Sequence, residues 1–107
     1  MTQYAIWFPS EAMQLTAEEF PQVVIDSNAV VEEMKAAGVF VFAGGVDESV
    51  EPVLVGRDGS RTPGGFGDRV FDGGLTVIEV PTHEDALQWA ARLAEGCRCP
   101  QEVRVIA

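Results

Sequence analysis

The sequence predicts an α+β domain in which two helices cover one face of an antiparallel sheet, in the order β-α-β-β-α-β with an extra hairpin. Three observations predict this fold class. The stretch from Asp72 to Glu95 contains an apolar strand, a proline break and an amphipathic helix. A second strand and helix are predicted between Gln3 and Ala37. Turn residues at 56–59 separate two short β-prone segments and predict the hairpin.

The first strand and helix are predicted from alternation and capping. Gln3 to Phe8 alternates with period two and is followed by a proline. Thr16 and Glu19 have the spacing of a capping box, and the helix is expected over Gln22 to Ala37 with Gly38 as its C-terminal stop. The residues expected on its buried side are Val23, Val30, Met34 and Ala37.

The middle of the chain predicts strands and a long loop. Val39 to Ala43 is a continuous apolar run, which is typical of a strand covered on both faces. Glu51 to Val55 and Ser60 to Thr62 are the two arms of the predicted hairpin. The glycine-rich segment from Thr62 to Gly74 predicts a loop with unusual backbone angles, and loops of this length usually serve function or assembly.

The last strand–helix–strand unit is the most regular part of the sequence. Leu75 to Val80 predicts a strand, Thr82 is placed to cap the following helix with Asp85, and Glu102 to Ile106 predicts the strand that completes the sheet. The helical stripe predicted to face the sheet is Leu87, Ala90, Ala91 and Ala94.

The element order is that of a ferredoxin-like fold, which places both helices on one face of the sheet. Successive residues of a strand point to opposite faces of the sheet. The predicted strands nevertheless carry large apolar residues at successive positions, such as Trp7 beside Phe8 and Val77 beside Ile78, so both faces receive them. The face without helices is therefore expected to be apolar, and an exposed apolar face of that size marks an interface. We expect a homodimer in which the two sheets face each other.

The amino-acid composition limits which class of protein this chain can be. A chain of 107 residues, 47% hydrophobic and 22% charged, has the size and composition of one globular domain, residues 1–107. The chain has 17 acidic and 7 basic residues, which gives a net charge of −10. This charge disfavours binding to nucleic acid, because a negative protein surface repels the phosphate backbone. No apolar run reaches the roughly 20 residues of a membrane span, and the N-terminus lacks the basic start of a signal peptide. We expect no membrane association and a cytoplasmic location.

Cysteine and histidine content limits the chemistry. Cys97 and Cys99 are one residue apart, a spacing at which a mutual disulfide is strained, so two reduced thiols are expected. With a single histidine the chain offers too few ligands for a typical zinc site. No phosphate-binding loop or dinucleotide fingerprint is present, and no metal or cofactor is expected.

Five segments together resemble the YCII-related, or DGPF-domain, proteins across nearly the whole chain. The segments are AAGVFVFAGG (36–45), VGRDGSRTPGGF (55–66), GGLTVIEV (73–80), HEDALQWAARL (83–93) and EVRVI (102–106). The resemblance implies a ferredoxin-like fold that pairs into a dimeric α/β barrel, with a cavity between the sheet and its helices or the partner. It implies little about activity, because the function of that family is mostly unassigned.

The sequence departs from the family pattern at the loop that gives the domain its name. The usual Thr-Asp-Gly-Pro-Phe is here Thr62-Pro63-Gly64-Gly65-Phe66, so the acidic position is lost unless Asp58 or Asp68 replaces it. The His and Asp pair proposed for some members is also absent, since the first helix has no histidine and Gly96-Cys97 follows Glu95, the expected end of the second helix.

The candidate functional residues follow from these patterns and support two main hypotheses. The first is a dimeric small-molecule-binding or accessory module that holds an apolar or weakly acidic ligand near the glycine-rich loop, with Arg57, Thr62, Gly64, Phe66 and Asp68 as ligand-binding residues. The alternative is a cofactor-independent isomerase or lyase in which Asp72, Glu79 or His83 acts as the base. A third possibility is that the interface only dimerises the chain and no cavity exists.

Overall fold

A computed structural model describes residues 1–107 and has an α+β fold. Four strands form one antiparallel sheet: β1 (Thr2–Phe8), β2 (Phe40–Gly45), β5 (Gly74–Val80) and β6 (Glu102–Ile106). Two further strands, β3 (Val53–Val55) and β4 (Arg61–Pro63), form a separate hairpin. The helices are α1 (Phe20–Ala36) and α2 (His83–Cys97), and a short 3-10 turn covers Ser10–Ala12.

The strand order in the main sheet is β2-β5-β1-β6, so the two central strands are β1 and β5. These strands pair antiparallel over their full length, from Thr2 opposite Val80 to Phe8 opposite Gly74. The pairing of β2 with β5 is interrupted by a bulge between Phe40 and Phe42. Each strand predicted from the sequence is present, with ends shifted by two residues at most.

The core lies between one face of the sheet and both helices. Alternate residues of β1 and β5 are buried on this face, and they meet residues of α1 and α2 in a single cluster. Its members are Tyr4, Ile6, Val30, Met34, Ile78, Val80, Ala86, Ala90 and Leu93. Neither helix has the length and apolar character that crossing a bilayer requires.

Helix α2 begins as predicted but faces the sheet with a different stripe. The Thr82 hydroxyl accepts a hydrogen bond from the backbone N–H of Asp85 at 3.1 Å. The predicted stripe was right for Ala90, which is buried, and wrong for Leu87 and Ala91, which are exposed. The stripe that is buried instead consists of Ala86, Ala90, Leu93 and Cys97.

The predicted capping box before α1 forms at the turn that leads into the helix. The Thr16 hydroxyl accepts from the backbone N–H of Glu19 at 3.2 Å, and the Glu19 carboxylate accepts from the backbone N–H of Thr16 at 3.3 Å. The predicted burial of Val23, Val30 and Met34 is confirmed. The predicted burial of Ala37, the residue that caps the C-terminal end of α1, was wrong, because it is exposed.

Strand β2 is less covered than its apolar sequence predicted. We expected burial on both faces, yet Val41 is 45% exposed and Phe42 is 53% exposed. The reason is its position, because β2 is an edge strand of the main sheet. Phe42 pairs with Val77 on the sheet face that no helix covers.

The β3–β4 hairpin and the loop after it form an arm, residues 46–72, that extends from one end of the main sheet. Asp58 accepts a hydrogen bond from the backbone N–H of Ser60 in the predicted turn. The predicted unusual backbone angles of the following loop are confirmed by positive φ at Gly64, Gly67 and Gly73. The radius of gyration is 15.6 Å, against roughly 13 Å for a compact domain of this length, because the arm protrudes.

Candidate functional site

A groove of about 740 Å³ opens between the main sheet and α1, at the sheet end where β1 finishes and β5 starts. This volume lies within the range of roughly 300–1,000 Å³ that is typical of small-molecule sites. Half of the lining residues are hydrophobic. The lining consists of Phe8, Ser10, Met13, Phe20, Ser27, Asn28, Val31, Ala43, Gly44, Gly45, Val46, Glu48, Gly73, Gly74, Leu75, Thr76, Leu93 and Cys97.

The groove exists because the sheet carries small side chains beneath it. Directly paired residues of antiparallel strands point to the same face. On the helix-covered face, Ala43 pairs with Thr76 and Gly45 pairs with Gly74. At the other end of the same two strands Phe40 pairs with Ile78 and fills the core. Helix and sheet are thus in contact at one end and separated by a groove at the other.

The walls come from the two helices and from β1. Asn28 and Val31 lie on one face of α1, three residues apart, and α2 contributes Leu93 and Cys97. Leu93 and Cys97 are buried where they line the groove, whereas Phe20 at the start of α1 is 57% exposed. The groove therefore runs from an open mouth to a buried apolar end.

The polar side of the mouth is held in place by a chain of hydrogen bonds. The Ser10 hydroxyl donates to the Glu48 carboxylate at 2.5 Å. The backbone N–H of Ser10 donates to the Asp72 carboxylate at 3.0 Å, and Trp7 Nε1 donates to the carbonyl oxygen of Asp72 at 2.7 Å. Strand β1, the turn after it and the loop before β5 are thereby connected at the groove.

Gly73 is required where the arm returns to the sheet. Its φ of +81° is in the left-handed region, and a Cβ at this position would overlap the carbonyl oxygen of Phe8. Any larger residue would push β5 away from the end of β1. The floor of the groove therefore depends on this glycine.

Both cysteines are free and buried. Burial raises the pKa of the Cys97 thiol to about 11, and the neighbouring Cys99 adds to the shift. Burial also raises the pKa of Cys99. Cys97 consequently contributes a neutral, unreactive thiol to the buried part of the groove lining.

A second groove, between the outer surfaces of the helices, is occupied by paired charges. Arg98 contacts Asp26 at 2.7 Å, and Arg92 forms an ion pair with Glu33. The hydrogen bond from Arg98 lowers the pKa of Asp26, with a smaller contribution from Gln22. These pairs tie α1 to α2 and leave this groove without an unpaired cation. No three His, Cys, Asp or Glu side chains lie close enough together to hold a metal ion.

The structure does not bring the three predicted catalytic residues together. Asp72 lies beside the groove, where its carboxylate holds the Ser10 turn. Glu79 lies near the other end of β5, on the face without helices, and accepts a hydrogen bond from Gln3 at 3.2 Å. His83 lies on the helix side, with its ring centroid 5.7 Å from that of Tyr4.

The five predicted ligand-binding residues lie on the arm and outside the groove lining. Arg57 is in the hairpin turn, Thr62 is in β4, and Asp68 is in the loop that follows; all three are exposed. Gly64 is half-buried, and its backbone N–H donates to the carbonyl oxygen of Pro52 at 2.8 Å. Phe66 is 75% exposed.

Sequence reasoning missed the residues of the groove itself. The available signal was a pair of glycines at the end of one strand, Gly44-Gly45, and another at the start of a later strand, Gly73-Gly74. Two such pairs on neighbouring strands permit close approach to the backbone of the sheet. Ser10 and Glu48 gave no signal, because their contact depends on how the arm leaves β2.

No known protein family matches this chain, and no curated protein is significantly similar to it.

Proposed function

We propose that this chain is a small-molecule-binding or accessory module of the YCII-related family, with a ferredoxin-like fold that pairs into a dimeric α/β barrel in the cytoplasm. The groove between α1 and the sheet is the observation that carries the binding function. It has the volume of a small-molecule site, a buried apolar end and a polar mouth. The five sequence segments and the strand order β2-β5-β1-β6 support the family and the fold.

The uncovered face of the main sheet supports the homodimer. Trp7, Ala5 and Val77 alternate with core residues and therefore point away from the helices. Phe42 and Ile106 extend this apolar face onto the two edge strands. The same face carries Gln3 and Glu79 at one end and Glu102 and Arg104 along β6, so only its centre is apolar. An exposed apolar centre of this kind needs a cover, and a second copy in a two-fold arrangement would supply it. The groove opens on the opposite side and would remain accessible.

Native mass spectrometry on the gently purified protein tests the binding function. We expect a mass of two chains with a reproducible small adduct. Ala43→Trp places a large side chain over the groove floor and should remove the adduct. Val41→Trp is the matched control, because Val41 is in the same edge strand, is exposed and does not line the groove. If both variants carried the same amount of adduct, the ligand would bind outside the groove. If the purified protein carried no adduct and no compound in a ligand screen raised its thermal stability, the binding function would be refuted.

The environment of Glu79 favours an enzymatic alternative. Its only side-chain hydrogen bond is from Gln3, and no cation pairs with it. In a dimer with facing sheets this carboxylate would be withdrawn from water and available for proton transfer. A ligand held between the two facing sheets, and not in the groove, should then incorporate deuterium in D₂O, and Glu79→Gln should abolish the incorporation while leaving binding intact. A ligand that binds without exchange would instead identify a passive binding protein.

A further inference from the structure

The charge of the groove lining indicates which class of ligand the groove can bind. Glu48 is the only charged residue in the lining, which contains no Lys, Arg or His. The four ion pairs of the chain involve Asp26, Glu32, Glu33 and Glu102 as their acids, so Glu48 is not neutralised by a protein cation. The chain as a whole carries a net charge of −10. An anionic ligand would therefore meet repulsion and no positive partner.

Glu48 is oriented, although it lies in the exposed part of the mouth. The Ser10 hydroxyl donates to its Oε2 at 2.5 Å, and Ser10 is in turn fixed by Asp72 through its backbone N–H. A carboxylate has about four acceptor positions. One position is used by Ser10, and the others are available to a donor that enters the groove.

The remainder of the groove suits an apolar group. Leu93 and Cys97, with its neutral thiol, are its buried lining residues, and no fully buried side-chain nitrogen or oxygen there lacks a partner. The aromatic rings of Phe8 and Phe20 line the passage toward the mouth. Ring faces attract cations, and this attraction adds to that of a carboxylate. The groove thus has an apolar interior, aromatic sides and a single negative charge.

We propose that the ligand is a small amphipathic amine, with its apolar body between Leu93 and the two phenylalanine rings and its protonated nitrogen at the Glu48 carboxylate. This inference rests on the proposed function, since it names the chemical class of ligand for the same groove. It also replaces the weakly acidic ligand that the sequence suggested, because the groove offers no cation to bind one.

A matched series of probes tests the ligand class. We would titrate the full-length protein with 4-phenylbutylamine, 4-phenylbutanol and 4-phenylbutyrate, which share one apolar body, and follow amide chemical shifts. The amine should bind roughly 2- to 5-fold more tightly than the alcohol, as expected for an exposed charged hydrogen bond, and the carboxylate should bind most weakly. High salt should reduce the preference for the amine.

Two variants separate the role of Glu48 from that of general charge. Glu48→Gln should make the affinities for amine and alcohol nearly equal. Glu51→Gln removes the same charge from an exposed residue outside the groove and should leave the preference intact. Equal binding of all three probes to the wild type, or tightest binding of the carboxylate, would overturn the amine proposal but leave the groove as a site. Failure of every probe to shift the lining residues would count against both proposals.

Discussion

The carboxylate of Asp72 accepts a hydrogen bond from the backbone N–H of Ser10 at 3.0 Å, and so fastens the loop before β5 to the turn after β1. This contact holds the two segments together at the mouth of the groove. The same side chain fixes Ser10, whose hydroxyl orients Glu48. Asp72, which the sequence presented as a candidate base, thus makes a contact that positions the mouth of the groove.

Asp72→Ala is expected to lower the free energy of unfolding by about 1 kcal/mol, because the Ser10 N–H loses its acceptor. Asp72→Asn keeps a carbonyl oxygen at this position and should retain most of the stability. Urea denaturation of the three proteins measures both effects. If Asp72→Asn were as stable as the wild type but lost a measured activity, Asp72 would be a catalytic residue after all.

Val77→Arg is expected to convert the proposed dimer into a monomer, since it places a charge in the centre of the uncovered sheet face. Val105→Arg is the matched control, because Val105 pairs with Tyr4 and thus points to the helix side of an edge strand, where it is 59% exposed. Native mass spectrometry gives the mass of each assembly. A wild-type protein that is monomeric at micromolar concentration would contradict the proposed covering of this face.

Phe66→Ala distinguishes the arm from the groove as the place where the ligand binds. Phe66 is 75% exposed, so its truncation should change the free energy of unfolding by less than about 0.5 kcal/mol. If the ligand occupies the groove, the variant should retain the native adduct in full. Loss of the adduct in Phe66→Ala, with the adduct preserved in Ala43→Trp, would instead support the predicted arm residues Arg57, Thr62, Gly64 and Asp68.

Stability is expected to fall at alkaline pH because of Cys97. Burial raises the pKa of its thiol from 9.0 to about 11 in the folded chain, so the unfolded chain loses this proton first. The contribution of the neutral thiol is complete below pH 9.0 and is lost as the pH rises toward 11. Thermal unfolding across this interval should show a smaller decline for Cys97→Ala than for the wild type.

Alkylation provides an independent measurement of the same thiol. Iodoacetamide should modify Cys97 slowly in the folded protein near neutral pH and much faster in urea, as peptide mapping by mass spectrometry would show. A folded-state rate equal to that of the unfolded chain would contradict the burial of this side chain.

The regular elements could be predicted because their signals are local. The alternation of Gln3–Phe8, the capping pair of Thr82 and Asp85, and the turn at 56–59 each specify structure within a few residues. The buried stripe of α2 could not be identified in this way. That helix carries alanines on several sides, and only packing against the sheet selects Ala86 and Ala90 over Ala91 and Ala94.

The groove was not predictable because it depends on pairing between distant strands. Ala43 and Gly45 become its floor only when β2 pairs with β5 in the observed register, opposite Thr76 and Gly74. A shift of one residue would turn the opposite set of side chains toward the helices. The contact between Ser10 and Glu48 likewise joins residues from two irregular segments.

The groove owes its volume to the small size of the side chains on its floor, so substitutions at these positions can change its width. A Cβ at Gly45 would meet nothing closer than the carbonyl oxygen of Gly73 at 3.5 Å, an ordinary contact. Single substitutions at Gly45 or Ala43 would therefore narrow the groove stepwise without disturbing the core at the other end of the strands. The width of the groove can therefore change one methyl group at a time, independently of folding.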